Sequence, residues 1–182
     1  MVLYNSYDKH ESLASTHSTG KFIPFNPTDK YTVAYVTETA TKKQFMLMKG
    51  APQVVLRHSH NASEIATVVN GKITEFANRG FRALGVSIAE GHQDVASSTF
   101  DMVAVVPLFD PPRHDTKDTI DKCLAMGVHV KMVTGDQTLI GKETARQLGM
   151  STDIYTIDYL HSVCAKLVTR VSVFGGAGLM LR

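Results

Sequence analysis

Residues 102–150 read MVAVVPLFDPPRHDTKDTIDKCLAMGVHVKMVTGDQTLIGKETARQLGM, and the order of patterns within them decides the fold class. Met102–Phe109 is a continuous apolar run, the pattern of a strand buried on both faces. Pro111 and Pro112 end it sharply. Asp115 is placed to cap a helix running through Met126, with Asp118 in its first turn and Gly127 just past its end. Val128–Val133 reads as the next strand, and Gln137–Leu148 as the next helix, stopped by Gly149. Strand, helix, strand, helix at this spacing predicts a parallel α/β sheet with right-handed crossovers.

The stretch before it has another rhythm. Residues 1–20 are polar, rich in Ser, Thr and His, and read as loop or a frayed end. Thr32–Val36 alternates polar and apolar, Phe45–Met48 is its neighbour, and Ala40–Gln44 turns between them, which predicts an antiparallel pair. After Lys49-Gly50-Ala51-Pro52 a short helix carries Val54, Val55 and Leu56, with Pro52 suited to its first position. Ile65, Val68, Val69, Ile73 and Phe76 recur at helical spacing from Glu64 to Arg79, and Gly80 stops that helix. Ala83–Ile88 reads as a strand and Gly91–Thr99 as polar linker. An antiparallel α+β layout followed by a parallel α/β one predicts two domains joined near Asp110. The boundaries are 1–20, 21–109, 110–160 and a tail at 161–182.

Composition narrows the function. The chain has 182 residues, 43% of them hydrophobic and 20% charged, with a net charge of +2. That usage is globular, and so balanced a charge points to no nucleic-acid partner. The apolar runs Met102–Phe109 and Val171–Leu181 fall well short of the ~20 residues that span a bilayer. No membrane insertion and no signal peptide are expected. Cys123 and Cys164 make no disulfide framework, and a reducing, cytoplasmic setting fits.

Thr134-Gly135-Asp136 lies where a predicted parallel strand ends and a helix begins. Ligands bind outside the carboxyl ends of such strands, and a helix N-terminus offers free N–H groups to an anion. Thr134 can hold a phosphoryl oxygen, Gly135 lets backbone approach, and Asp136 can act near Mg²⁺; alternatively the tripeptide is a turn whose Asp caps the helix. Lys49 and Arg82 are each a phosphate partner or a solvated cation. Phe25, in Pro24-Phe25-Asn26-Pro27, either stacks on a base or fills a core. His58 and His60, two residues apart, lack a supporting Cys or carboxylate constellation, so no metal site is expected there. Asp110-Pro111-Pro112-Arg113 is a stiff strut, serving as a hinge or as a rigid loop with an exposed ion pair.

Taken together, Lys49-Gly50-Ala51-Pro52, Asp110-Pro111-Pro112-Arg113 and Thr134-Gly135-Asp136 resemble, in order and approximate spacing, the cytoplasmic part of a P-type ATPase. PFNPTDK (24–30), LFDPPRHD (108–115) and VKMVTGDQTLIGKETARQLGM (130–150) resemble the proton-pumping plasma-membrane subgroup more than calcium or sodium pumps. The resemblance covers about residues 21–155. It implies that 21–109 is much of a nucleotide-binding domain. There Phe25 stacks on adenine, Lys30, Lys49 and Gly50 lie near the nucleotide, and Arg82 reaches the phosphates. It implies that 110–160 is part of a Rossmann-like phosphorylation domain of the haloacid-dehalogenase type. In that domain Thr134 holds the phosphoryl group, Asp136 orients nucleotide and Mg²⁺, and Asp110 and Arg113 sit at the hinge. ATP and Mg²⁺ are the implied ligands. The membrane and actuator domains of the pump are the implied partners, at the cytoplasmic face of the plasma membrane.

Departures from the family pattern are equally plain. Gln53 stands where most relatives carry Glu. No Asp-Lys-Thr-Gly segment carries a phosphorylatable aspartate: Asp8-Lys9 and Asp29-Lys30 are not followed by Thr-Gly. The later Gly-Asp-Gly-x-Asn-Asp segment that holds Mg²⁺ is missing, and from about His161 the resemblance ends. Gly175-Gly176-Ala177-Gly178 has no following Lys-Ser/Thr and is no phosphate loop. The expectation is a fragment, truncated product or frame-changed product of a pump, unable to turn over alone. A free-standing, non-catalytic nucleotide-binding module is the alternative, and the reading frame upstream of Met1 and downstream of Arg182 separates the two. A stand-alone phosphatase of the dehalogenase fold needs an Asp-x-Asp segment, and none is present.

Overall fold

The computed structural model describes residues 15–156 and 173–175, and shows an α/β fold. Five strands, β1 (His17–Ile23), β2 (Tyr31–Glu38), β3 (Gln44–Gly50), β4 (Arg82–Glu90) and β5 (Asp101–Leu108), form one sheet in the order β1-β2-β3-β4-β5. The pairings β1–β2, β2–β3 and β3–β4 are antiparallel, as the short connection between the β2 and β3 patterns requires. Two helices, α1 (Pro52–Arg57) and α2 (Ala62–Asn78), lie between β3 and β4 in sequence.

Contacts divide the chain into two compact units: residues Met1–Lys72 with Ala83–Val106, and Ile73–Arg82 with Pro107–Arg182. In the first unit, period-two alternation sorts the sheet into a core face and an outer face. Val33, Met48 and Ser87 stand opposite one another across β2, β3 and β4 and are fully buried. α1 covers that face, with Val55 against Gly85. Phe100 and Met102 complete the core at the start of β5. β5 is tied down on its outer side by the loop before α2. The Asn61 side-chain amide donates to Met102 O at 3.2 Å and accepts from Met102 N–H at 3.0 Å, and His60 N–H donates to Phe100 O. An amide side chain thereby supplies the ladder partner that an edge strand otherwise lacks.

The Ser87 hydroxyl is sealed in this core with no hydrogen-bond partner. A buried hydroxyl that gives up water without replacing it costs roughly 1–3 kcal/mol. Ser87→Ala is therefore expected to raise unfolding free energy by about 1 kcal/mol, read as a higher urea midpoint at constant m-value. A lower midpoint would mean that the oxygen makes a stabilising contact.

The second unit holds α3 (Thr116–Ala125), α4 (Thr138–Gln147) and a three-stranded sheet of β6 (Met132–Thr134), β7 (Ile154–Tyr155) and β8 (Val173–Gly175). β8 lies between β6 and β7 and pairs parallel with both, Thr134 standing opposite Gly175. Gly80, Gly127 and Gly149 each follow a helix at positive φ, and the next residue's N–H returns to a carbonyl five residues back: Phe81 to Phe76, Val128 to Cys123, Met150 to Ala145. That bond pattern satisfies the last carbonyls of each helix.

Four sequence expectations need correction. The Met102–Phe109 run is not a neighbour of the Thr134-bearing strand but an edge of the first sheet. It is not buried on both faces either, with Val103 61% and Phe109 58% exposed. The strand expected over Val128–Val133 is only Met132–Thr134; Val128 instead donates its N–H back to Cys123 O at the end of α3. His17–Gly20, read as loop, belong to β1, an edge strand held by backbone pairing with β2 although most of its side chains are exposed. Asp115 occupies the N-cap position of α3 but makes no side-chain cap bond. The readings of residues 1–14 and of most of 161–182 lie outside the described residues.

Candidate functional site

In the first unit the sequence-predicted residues gather at one end of β2 and β3. Asn26 organises the loop that carries Phe25: its side chain accepts from Thr28 N–H and donates to Asp29, both at 2.9 Å. Lys30 N–H returns to Asn26 O at 2.7 Å, and Lys30 takes a left-handed φ of 62° to lead into β2. Its carbonyl then accepts from Ala51 N–H at 3.0 Å. This crossing is so close that a Cβ on Gly50 would press on the Lys30 carbonyl oxygen and lie 2.7 Å from Tyr31 Cα. Gly50 is thus what lets the Lys30 backbone lie on the end of β3.

The outer face of the sheet leads up to the same place. Ala34, Leu47 and Ile88 form one half-buried cross-strand row, and Thr32, Lys49 and Val86 the next. Thr32 Oγ1 donates to Lys49 O at 3.4 Å. Lys49 and Lys30 are exposed at the end of this apolar floor, and Phe25 is 61% exposed on the adjoining loop. Apolar surface with an accessible aromatic and two cations at its edge suits a ligand with a flat ring and an anionic tail.

The second unit gathers another group. Arg82 grips Asp136 with two bonds, Nε to Oδ1 and Nη2 to Oδ2, each 2.9 Å, and reaches Asp110 Oδ2 through Nη1 at 2.5 Å. The hydrogen bond from Arg82 holds the Asp136 carboxyl below its ordinary range against the opposing effect of partial burial; the Arg82 charge and a bond from Thr134 act in the same direction. Arg82 is raised in turn, first by its bond to Asp136 and then by that to Asp110. Because the folded pKa of Asp136 is depressed, the pair stabilises the fold above the unfolded carboxylate value. That contribution disappears as pH falls through the folded pKa, below about pH 4.

Asp136 therefore does not cap α4. The N-cap position is Gln137, without a side-chain cap bond, and Asp136 N–H donates to Thr134 Oγ1 at 3.1 Å. A Cβ on Gly135 would meet nothing within 4 Å, so the backbone there is open to approach. Arg82, Asp110, Arg113, Thr116, Asp136 and Thr144 line a cleft of about 310 Å³. Arg113 is mostly exposed, its Nε 3.8 Å from Asp115. Among the described residues no group of three or more His, Cys, Asp or Glu is placed to hold a metal ion. His58 packs edge-on against Tyr31, and exposed His60 lies 3.9 Å from Asp101. Residue reading alone missed the Arg82–Asp110–Asp136 cluster: separations of 28 and 54 residues leave no local pattern.

No protein-family model matches the chain. It is 51% identical over 155 residues to a plasma membrane ATPase of Dunaliella bioculata, an alignment covering 85% of this chain and 14% of that protein. It is 49% identical over 142 residues to a probable plasma membrane ATPase of Dictyostelium discoideum, covering 78% of this chain and 13% of that protein. The chain thus spans about one seventh of the length of these relatives. No helix among the described residues is long and apolar enough to cross a membrane. Identity near one half over most of the chain is far beyond what a shared fold alone produces, and the chain is homologous to part of these plasma membrane ATPases, as expected of a fragment of a P-type pump.

Proposed function

We propose that this chain is an ATP-binding part of a P-type proton pump, acting at the cytoplasmic face of the plasma membrane. In the whole pump ATP hydrolysis proceeds through an aspartyl-phosphate and drives H⁺ export, in concert with membrane and actuator domains. The first unit supplies the nucleotide site. Phe25 stacks on adenine, the Ala34–Leu47–Ile88 row lies beneath it, and Lys30 and Lys49 meet the phosphates. The observation that carries this reading is the crossing at Gly50, which brings the Phe25–Lys30 loop onto the strand end bearing Lys49.

The second unit is read as part of a Rossmann-like, haloacid-dehalogenase-type phosphorylation domain. The support is Thr134 at the carboxyl end of a parallel strand, just before a helix N-terminus. Thr134 would hold the phosphoryl group, while Asp110 and Arg113 stiffen the hinge. Mg²⁺ does not fit the residues described here: Asp136, the carboxylate assigned near it, is already gripped by Arg82.

With stacking and two lysines but an incomplete phosphate site, ATP affinity should be on the order of millimolar, about −4 kcal/mol. Isothermal calorimetry and NMR titration test it. Phe25→Ala and Lys49→Ala are each expected to weaken binding about tenfold. Parent-like binding by both variants would show that the site lies elsewhere.

A further inference from the structure

We propose that Phe22, on the edge strand β1, is a second ring contact for the nucleotide base, a wall on the strand next to the apolar floor. The inference rests on the nucleotide reading of the first unit and adds to it a residue that discriminates a flat base from a bare polyphosphate. Its ground is the register of β1 on β2. From His17 to Thr19 the two strands pair evenly, with Thr19 opposite Val36. Phe22 then stands opposite Ala34, so Gly20 and Lys21 together face Tyr35 alone. One extra residue in a strand is a β-bulge, and a one-residue shift reverses the face that each later side chain meets. With an even register Phe22 would oppose Val33, a fully buried core residue. The bulge gives that place to Ile23 and passes Phe22 to the outer face. Lys21 lies on the opposite side, its ammonium 5.3 Å from the centre of the buried Tyr35 ring.

The outer face is the one that carries the Ala34–Leu47–Ile88 row, and Phe22 extends that row by one strand. Ala34 is then the one small side chain, set between Phe22 and Leu47. Neighbouring strands lie about 4.8 Å apart, so Phe22 and Leu47 flank Ala34 across roughly 10 Å. Two stacked rings place their centroids about 4.5–7 Å apart. A base stacked on Phe22 would thus lie over Ala34, where the row leaves room for it. Phe22 is 56% exposed, so its ring is accessible to such a partner. Phe25 follows on the loop that leads to Lys30, so one short segment supplies both rings and a cation.

The test is titration of the full 182-residue chain and of Phe22→Ala, Phe22→Leu and Phe22→Trp with ATP, and with inorganic tripolyphosphate as the second probe. The sequence contains no tryptophan, so Phe22→Trp adds a single fluorophore at the proposed contact. Phe22→Ala and Phe22→Leu are each expected to weaken ATP binding about fivefold and to leave tripolyphosphate binding as in the parent. Phe22→Trp is expected to bind ATP at least as well as the parent, with its emission quenched by ATP and not by tripolyphosphate. Because the ring is more than half exposed, the urea midpoints of all three variants should stay near that of the parent.

Parent-like ATP binding by Phe22→Ala and Phe22→Leu, with Phe25→Ala impaired, overturns the Phe22 contact and leaves the nucleotide reading standing. Full binding by Phe22→Leu alongside weak binding by Phe22→Ala also overturns it, because apolar bulk and not a ring is then what matters. Equal losses for ATP and tripolyphosphate overturn it too, since a ring contact acts on the base alone. Should Phe22→Ala fail to fold, an emission from Phe22→Trp that ignores ATP has the same force. No ATP binding by the parent overturns the contact and the nucleotide reading together.

Discussion

Gly50→Val is expected to cost about 3 kcal/mol or more of stability and to remove ATP binding altogether. The new side chain would begin from a Cβ pressed against the Lys30 carbonyl and 2.7 Å from both Cα and Cβ of Tyr31. These obstacles are chiefly backbone, so no rotamer change relieves them. β2 must move away from β3, and the Ala51 N–H to Lys30 O bond at 3.0 Å must break. The same movement pulls the Phe25–Lys30 loop off Lys49, so stability and binding fall together. Gly71→Ala is the control: nothing lies within 4 Å of its Cβ on the α2 surface, and alanine there is expected to add roughly 0.5–1 kcal/mol. Urea denaturation and ATP titration of both variants give the answer. A Gly50→Val protein that melts and binds like the parent would remove the structural basis of the nucleotide site.

What could be read from the sequence was local, and what could not was set by distant pairing. The α2 helix was legible because Ile65, Val69, Ile73 and Phe76 repeat over about three turns, and it spans Ala62–Asn78. β2 and β3 were legible because their alternating residues are joined by a short turn, and they pair antiparallel from Thr37↔Gln44 to Tyr31↔Gly50. β1 was not legible, because HSTGKFI is mostly solvent-facing and its order comes from ladder bonds to β2 rather than from its own apolar face. The Met102–Phe109 strand was visible, but its sheet was not: an apolar run specifies burial, not a neighbour. Chemistry followed the same division. The place of Thr134 and Asp136 at a strand end before a helix was legible from the tripeptide, whereas the link of Asp136 to Arg82 needed the folded chain. Neither alternative for Asp136, a place near Mg²⁺ or a helix cap, anticipated Arg82 as its partner.

The 182-residue chain is expected to take up no covalent phosphate from ATP, a loss of the entire phosphoenzyme signal of a complete pump. Phosphoryl transfer to protein needs a carboxylate nucleophile aligned with the γ-phosphate, and most of the catalysis beyond that is positioning and charge stabilisation. Thr134 at the end of β6 and Gly135 with its open backbone are the residues proposed for positioning, but the sequence has no Asp-Lys-Thr-Gly segment. The aspartates nearest the cleft are poor substitutes. Both oxygens of Asp136 accept from Arg82, and its depressed pKa marks a carboxylate stabilised as an anion, hence a weaker nucleophile. Asp110 is bonded to the same guanidinium, on the far side of a rigid proline pair from Arg113. Attack by Asp136 would draw on oxygens that both hold Arg82, and attack by Asp110 on a carboxylate whose Oδ2 is tied to the same cation. Incubation with γ-labelled ATP and Mg²⁺, acid quench and hydroxylamine treatment give the readout. Background label in the parent and in Asp110→Asn is the expected result. A stoichiometric, hydroxylamine-labile label on the parent would show that one of these aspartates can leave Arg82 and act, and its loss in Asp110→Asn or Asp136→Asn would say which.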